Sequence, residues 1–197
     1  MSSAAKPYLS LQEYLAQERR AEIKSEYYDG EVFTMAGGSK ERSVIAANVN
    51  GVLWPQLSNK PCDIYTSDMR VQVSEVGPYT YPDVTVVCGE AQFVDAEVDT
   101  LLNPTLIVEV LSPTTEAWDR GGKFEDDQQI PALQEYLLIA QDRPRVEQYA
   151  RQAEGRWHLT VATGLDGMVS LPSIGCELTL REVYRRINFP ENAGPRR

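Results

Sequence analysis

The sequence predicts an α/β fold: one domain with a mixed β-sheet. Three observations carry this. Apolar, β-branched runs such as Val84-Thr85-Val86-Val87 and Leu106-Ile107-Val108 recur between segments with helix-start signals. The 197 residues contain 42% hydrophobic and 24% charged side chains, enough for a sizeable core in a globular chain. There is no repeat and no linker, so residues 1–189 read as one domain and 190–197 as a flexible tail.

Each element has a local reason. Ser10-Leu11-Gln12-Glu13 has capping-box spacing and opens a helix to about Ala21. Residues 26–33 read as a hairpin around Asp29-Gly30. Gly37-Gly38 breaks the chain, Ser39 caps a second helix to about Trp54, and Pro55 helps to end it. Strands are expected at 62–66, 69–75, 82–88 and 106–111, with the acidic stretch 91–100 as a loop or short helix. Pro113-Thr114-Thr115 starts a helix past Lys123 towards Gln129. Gly121-Gly122 inside it costs roughly 1 kcal/mol per glycine, which marks a break or a close approach by another group. Strands follow at 135–140, 146–151 and 156–162. Thr179-Leu180-Arg181-Glu182 begins a last helix to about Ile187.

Composition excludes several functions. No apolar run approaches the ~20 residues that span a bilayer, and the first residues lack a signal-peptide core, so a cytoplasmic location is expected. Cys62, Cys88 and Cys176 are far apart, form no C-x-x-C pair, and share the chain with one histidine, His158. That argues against zinc, against a disulfide framework and against histidine-activated nucleophiles; His158 reads as a strand residue. No G-x-x-x-x-G-K-[S/T] occurs. The net charge is −10, and residues 61–118 hold ten acids against Arg70 alone. Such a chain is a poor non-specific binder of nucleic acid and would need a local basic surface and a metal.

Two acids stand out inside that region. Asp83 and Glu109 each lie in an apolar β-rich run, where an unpaired carboxylate is costly. On neighbouring strands they would share a divalent cation, a common device for phosphate chemistry. Lys123 stands four residues after Asp119, on one face of a helix: an exposed salt bridge, or an ammonium aimed at developing negative charge. Glu26, at the start of the hairpin, reads by itself as a surface residue.

These segments together are familiar. Tyr81-Pro82-Asp83-Val84, Val108-Glu109-Val110-Leu111-Ser112-Pro113, Asp119 with Lys123, and Leu133-Gln134-Glu135-Tyr136-Leu137 resemble the Uma-type endonuclease family, a branch of the PD-(D/E)XK restriction-endonuclease-like superfamily. Glu26-Tyr27-Tyr28-Asp29-Gly30-Glu31 and Met35-Ala36-Gly37-Gly38-Ser39 match its N-terminal signature, and the likeness spans about residues 8–188. The resemblance implies a restriction-endonuclease-like core, a central mixed β-sheet flanked by helices, with an active site at one sheet end. It implies Mg2+, with Mn2+ as substitute, held by Asp83, Glu109, the Val110 carbonyl and Glu26. Leu111 stands where the superfamily usually has its lysine, which makes Lys123 the counterpart. Arg42 stands where the family often has histidine, and Asp127 where tyrosine is common. Lys40 and Arg42 would contact phosphate. The implied function is Mg-dependent hydrolysis of nucleic acid, DNA first, by a homodimer. The altered Arg42 and Asp127 positions motivate the alternative of a non-catalytic dimeric binding or regulatory module on the same fold.

Overall fold

The computed structural model describes residues 8–35, 37–113 and 115–189; the expected C-terminal tail lies outside them. Helix α1 (Leu11–Glu18) forms the expected capping box: Ser10 Oγ accepts from Glu13 N, and the Glu13 carboxylate accepts from Ser10 N at 3.0 Å. Strands β1 (Ser25–Tyr28) and β2 (Glu31–Thr34) turn at Asp29 (φ 43°) and Gly30 (φ 82°). Both turn residues are left-handed, as a tight two-residue hairpin demands. Helix α2 (Lys40–Leu57) is capped by Ser39 Oγ, which accepts from Arg42 N. It runs past Pro55, because Leu57 is anchored in the core and holds the last turn.

The remaining strands are β3 (Cys62–Thr66), β4 (Arg70–Gln72), β5 (Tyr79–Thr80), β6 (Val84–Cys88), β7 (Thr100–Leu101), β8 (Leu106–Leu111), β9 (Glu135–Ala140), β10 (Arg145–Arg151), β11 (Trp157–Thr163), β12 (Met168–Leu171) and β13 (Cys176–Thr179). They form three sheets. The six-stranded one runs β11-β10-β9-β8-β6-β3, parallel only between β8 and β9. The five-stranded one runs β2-β1-β5-β4-β7, and β12-β13 is a separate hairpin.

Alternation along β8 divides the core. Leu106, Val108 and Val110 pack with Ile45, Val49 and Leu53 of α2. Ile107 and Leu111 face the other way and pack with Val71 and Leu101 of the five-stranded sheet. Glu109 has the parity of Ile107 and Leu111, so it points towards the second sheet. The helix expected over 113–129 is instead three pieces: α3 (Glu116–Trp118), a π-helical segment (Asp119–Lys123) and α4 (Phe124–Asp127). Gly121 and Gly122 fall inside the widened turn, and π segments gather at functional sites. The last helix, α5 (Leu180–Val183), is shorter than expected. Arg186, at φ 66°, is left-handed and ends the helical geometry before Ile187.

The cysteine reading needs correction. Cys62 and Cys88 are directly opposite on β3 and β6 and form a disulfide, with Cα atoms 4.0 Å apart; Cys176 is free and buried. Spacing in sequence could not show a pairing that strand register alone creates. Part of the acidity of segment 91–100 is also explained internally. Arg19, which caps the C-terminus of α1, bonds both Asp95 and Asp99, and buried Arg70 reaches Asp99 at 2.8 Å. Among the described residues no helix is long and apolar enough to cross a membrane.

Candidate active site

The β6–β8 register pairs Val84 with Val108, and continuing it one step sets Asp83 opposite Glu109. Directly opposed residues share a face, so the two carboxylates are neighbours at one end of the sheet. Both are buried: Asp83 is 7% exposed and Glu109 1%. Asp83 Oδ2 accepts from Val110 N at 2.8 Å, which ties the start of β6 to β8. Pro82 stands before this strand, where its missing N–H costs nothing.

Two cations meet the carboxylates. The first turn of α2 delivers Arg42, whose Nε donates to both Asp83 oxygens at 2.7 and 2.9 Å; its Nη2 lies 3.9 Å from Glu109 Oε2. The π segment delivers Lys123, only 3% exposed. Its Nζ lies 2.8 Å from Glu109 Oε1 and donates to Glu26 Oε1 at 3.1 Å. The approach to Glu109 is ionic, since Glu109 Oε1 has no partner of hydrogen-bonding alignment. Of the two readings of Lys123, the exposed bridge to Asp119 is therefore overturned: the π turn buries both residues, and Lys123 pairs with Glu26 and Glu109 instead.

Glu26, which by itself reads as a surface residue, is drawn into the cluster. It comes from β1 of the other sheet and accepts from Tyr81 N at 3.1 Å and from the Tyr28 hydroxyl at 3.3 Å. Its burial disfavours the charge, but Lys123 and these donors outweigh that and lower its pKa. Burial pushes the Glu109 pKa well up; Lys123 and Arg42 oppose this, while Asp83 and Asp119 add to it. Burial also works against the Lys123 charge, yet Glu109 and Glu26 raise its pKa well above the ordinary value. Burial raises Asp119. Asp127, in the next turn, is pushed up to about 7 by burial.

Glu26, Arg42, Glu109, Asp119 and Lys123 line one cavity of about 740 Å³. Formally, four carboxylates (these acids and Asp83) face two cations, leaving two negative charges uncompensated. All are hard oxygen donors, the chemistry that suits magnesium or manganese. Among the described residues no three His, Cys, Asp or Glu side chains are arranged to hold a metal. The expected set of Glu26, Asp83 and Glu109 is therefore not gathered into a three-carboxylate metal shell. Asp83 and Glu109, opposed on β6 and β8, remain as a pair of oxygen donors of the kind magnesium takes one or two of. Lys40 lies outside the cavity, in a cleft with Arg185 and Arg186.

Among the members of the cavity wall that sequence reading missed are its three aromatic residues, Tyr28, Phe33 and Trp118. Gly122 was the available signal. A Cβ there would stand 2.3 Å from Trp118 Cζ3, so the indole is the group that approaches closely. Trp-x-x-x-Gly, one helical turn apart, is the pattern that permits it.

Comparisons with known proteins agree with this architecture. Residues 11–181 match the model of the Uma2 family, described as "Putative restriction endonuclease". Two proteins of Synechocystis sp. are similar, both called uncharacterized: slr1290 is 38% identical over 95% of this chain and 97% of its own, and sll1609 is 38% identical over 83% and 93%. A crystal structure from Anabaena variabilis, titled as a putative nuclease belonging to DUF820, superposes with a TM-score of 0.68 at 20% identity, covering 89% of this chain and 97% of that one, which shows a shared fold. The chain belongs to the Uma2 family of restriction-endonuclease-like proteins.

Proposed function

We propose that this chain hydrolyses phosphodiester bonds of nucleic acid, with DNA as the first substrate to test, using Mg2+ or Mn2+. One observation carries the reading: Glu26, Asp83, Glu109 and Lys123, from two sheets and a π turn, converge at one sheet end with negative charge in excess. Asp83, Glu109 and the Val110 carbonyl would hold the cation, with Glu26 beside them. When bound, the ion would acidify a water and offset charge on the phosphate. Lys123 would face the negative charge that builds on the phosphoryl oxygens, and Glu26 keeps its ammonium in place. Arg42 already holds Asp83, so cation and guanidinium would compete for that carboxylate. Lys40, with Arg185 and Arg186, offers a cationic cleft for the flanking phosphates.

The test is cleavage of supercoiled and single-stranded DNA in Mg2+ and Mn2+, comparing wild type with Asp83→Ala, Glu109→Ala and Lys123→Met that remain folded. Each variant should lose activity. Equal cleavage by wild type and Asp83→Ala would sink the proposal.

A second reading has its own support. Arg42 on Asp83 and Lys123 on Glu109 are internal counter-ions that satisfy the two principal acids without a metal. On that reading the chain is a non-catalytic, self-associating binding or regulatory module. It predicts no saturable Mn2+ binding by calorimetry, no hydrolysis, and a dimer in sedimentation; stoichiometric Mn2+ binding coupled to cleavage excludes it.

A further inference from the structure

The cavity has a second wall of different chemistry. Trp118 is 46% exposed and Phe33 48%, and both line the space above Glu109 and Lys123. Tyr28 stands between them, its ring edge-on to Phe33 (centroids 5.8 Å apart, 74°) and to Trp118 (5.3 Å, 81°). Its hydroxyl reaches Glu26 Oε2, so the aromatic group is linked directly to the acids. The indole lies against Gly122, where no side chain could coexist with it. Trp118 thus packs on Gly122 and on the edge of Tyr28 before any ligand arrives, and contacts made in advance lower the ordering cost of binding.

Three physical points select the ligand. First, Glu109 and Lys123 are at most 3% exposed, so a phosphodiester must descend to reach them. The bases of an intact duplex turn into a pocket only at the cost of unpairing and unstacking, whereas an unpaired strand can place a base beside the phosphate that it brings in. Second, about 740 Å³ lies within the roughly 300–1,000 Å³ of sites that enclose a small molecule, the scale of a nucleotide and not of a duplex. Third, a net charge of −10 weakens binding that depends on many phosphates, whereas stacking on an aromatic face needs no countercharge.

We propose that Trp118, with Tyr28 and Phe33, is a stacking platform for an unpaired nucleobase, and that the site takes single-stranded or locally unpaired DNA. The proposal rests on the nuclease reading of the adjoining carboxylates. Its test separates binding from cleavage. Anisotropy of fluorescein-labelled oligothymidine is measured in EDTA with wild type, Trp118→Ala and Trp118→Phe, beside an abasic oligomer of equal length and a blunt duplex. Base–aromatic stacking contributes about 1–3 kcal/mol per base, so Trp118→Ala should weaken oligothymidine binding roughly five- to hundredfold. Trp118→Phe should retain most of the affinity, and the abasic oligomer should bind wild type about as weakly as oligothymidine binds Trp118→Ala. The platform is refuted if wild type binds duplex or abasic strand as tightly as oligothymidine, or if folded Trp118→Ala binds oligothymidine like wild type. Cleavage in Mg2+ is then read separately. Duplex cleavage unaffected by Trp118→Ala overturns the platform and leaves hydrolysis standing. Trp118-dependent binding without hydrolysis upholds the platform and removes only the hydrolytic reading.

Discussion

Replacing Asp127 by asparagine should make the protein more stable at high pH and leave it nearly unchanged at low pH. Asp127 is fully buried, and neither carboxylate oxygen has a well-aligned hydrogen-bond partner among the described residues. Its pKa rises from 3.8 to about 7, chiefly through burial. One pKa unit corresponds to about 1.36 kcal/mol. The interval 7 − 3.8 = 3.2 then corresponds to about 4 kcal/mol. The sign follows from proton counting. Below pH 3.8 the carboxyl is protonated in both folded and unfolded chains, and nothing is lost. Between 3.8 and about 7 the folded chain binds more protons than the unfolded one, so stability falls as pH rises. Above about 7 the full cost of a buried carboxylate is present. The asparagine variant has no charge to bury, and any fixed cost of its amide is the same at every pH. Urea denaturation of both proteins from acidic to alkaline pH should therefore give a stability difference that grows in favour of Asp127→Asn by about 4 kcal/mol and levels off near neutrality. A difference that does not change with pH would refute the reasoning.

Three other outcomes are expected. Arg42→Ala leaves Asp83, 7% exposed, without its guanidinium; Arg42 is itself partly solvated, so the loss should be about 2 kcal/mol, below the range for fully buried pairs, and added Mn2+ should recover part of it in urea melts. Gly122→Ala should change stability by no more than about 1 kcal/mol, since helix preference offsets displacement of a half-exposed ring, but it should alter the near-UV circular dichroism of Trp118. Denatured, unreduced protein should show one titratable thiol, Cys176, and reduction of the loop of 26 residues closed by Cys62–Cys88 should cost about 3.5 kcal/mol; three thiols before reduction would disprove the bridge.

Much of the central sheet was legible because its strands are nearly continuous apolar runs. The expected limits of β3, β8 and β9 coincide with the observed ones. Asp83 and Glu109 were legible for the same reason: a carboxylate in such a run contradicts its surroundings. The division into separate sheets was not legible, since pairing depends on register between distant segments, and β4, β5 and β7 are only two or three residues long. Strands β12 and β13 were missed for want of length, with Gly175 near their turn. Glu26 looked like a surface residue because nothing local to a hairpin reveals that its outer face meets a lysine 97 positions away. The interrupted helix was half legible: two adjacent glycines announced a disturbance, but not that Trp118 lies against one of them.

Lys123 joins Glu26 of one sheet to Glu109 of the other through a single nitrogen. The link between the sheets and part of the cavity wall are therefore the same side chain. A chain with either sheet formed alone carries the acids but no assembled pocket, so the site exists only once both sheets have folded together.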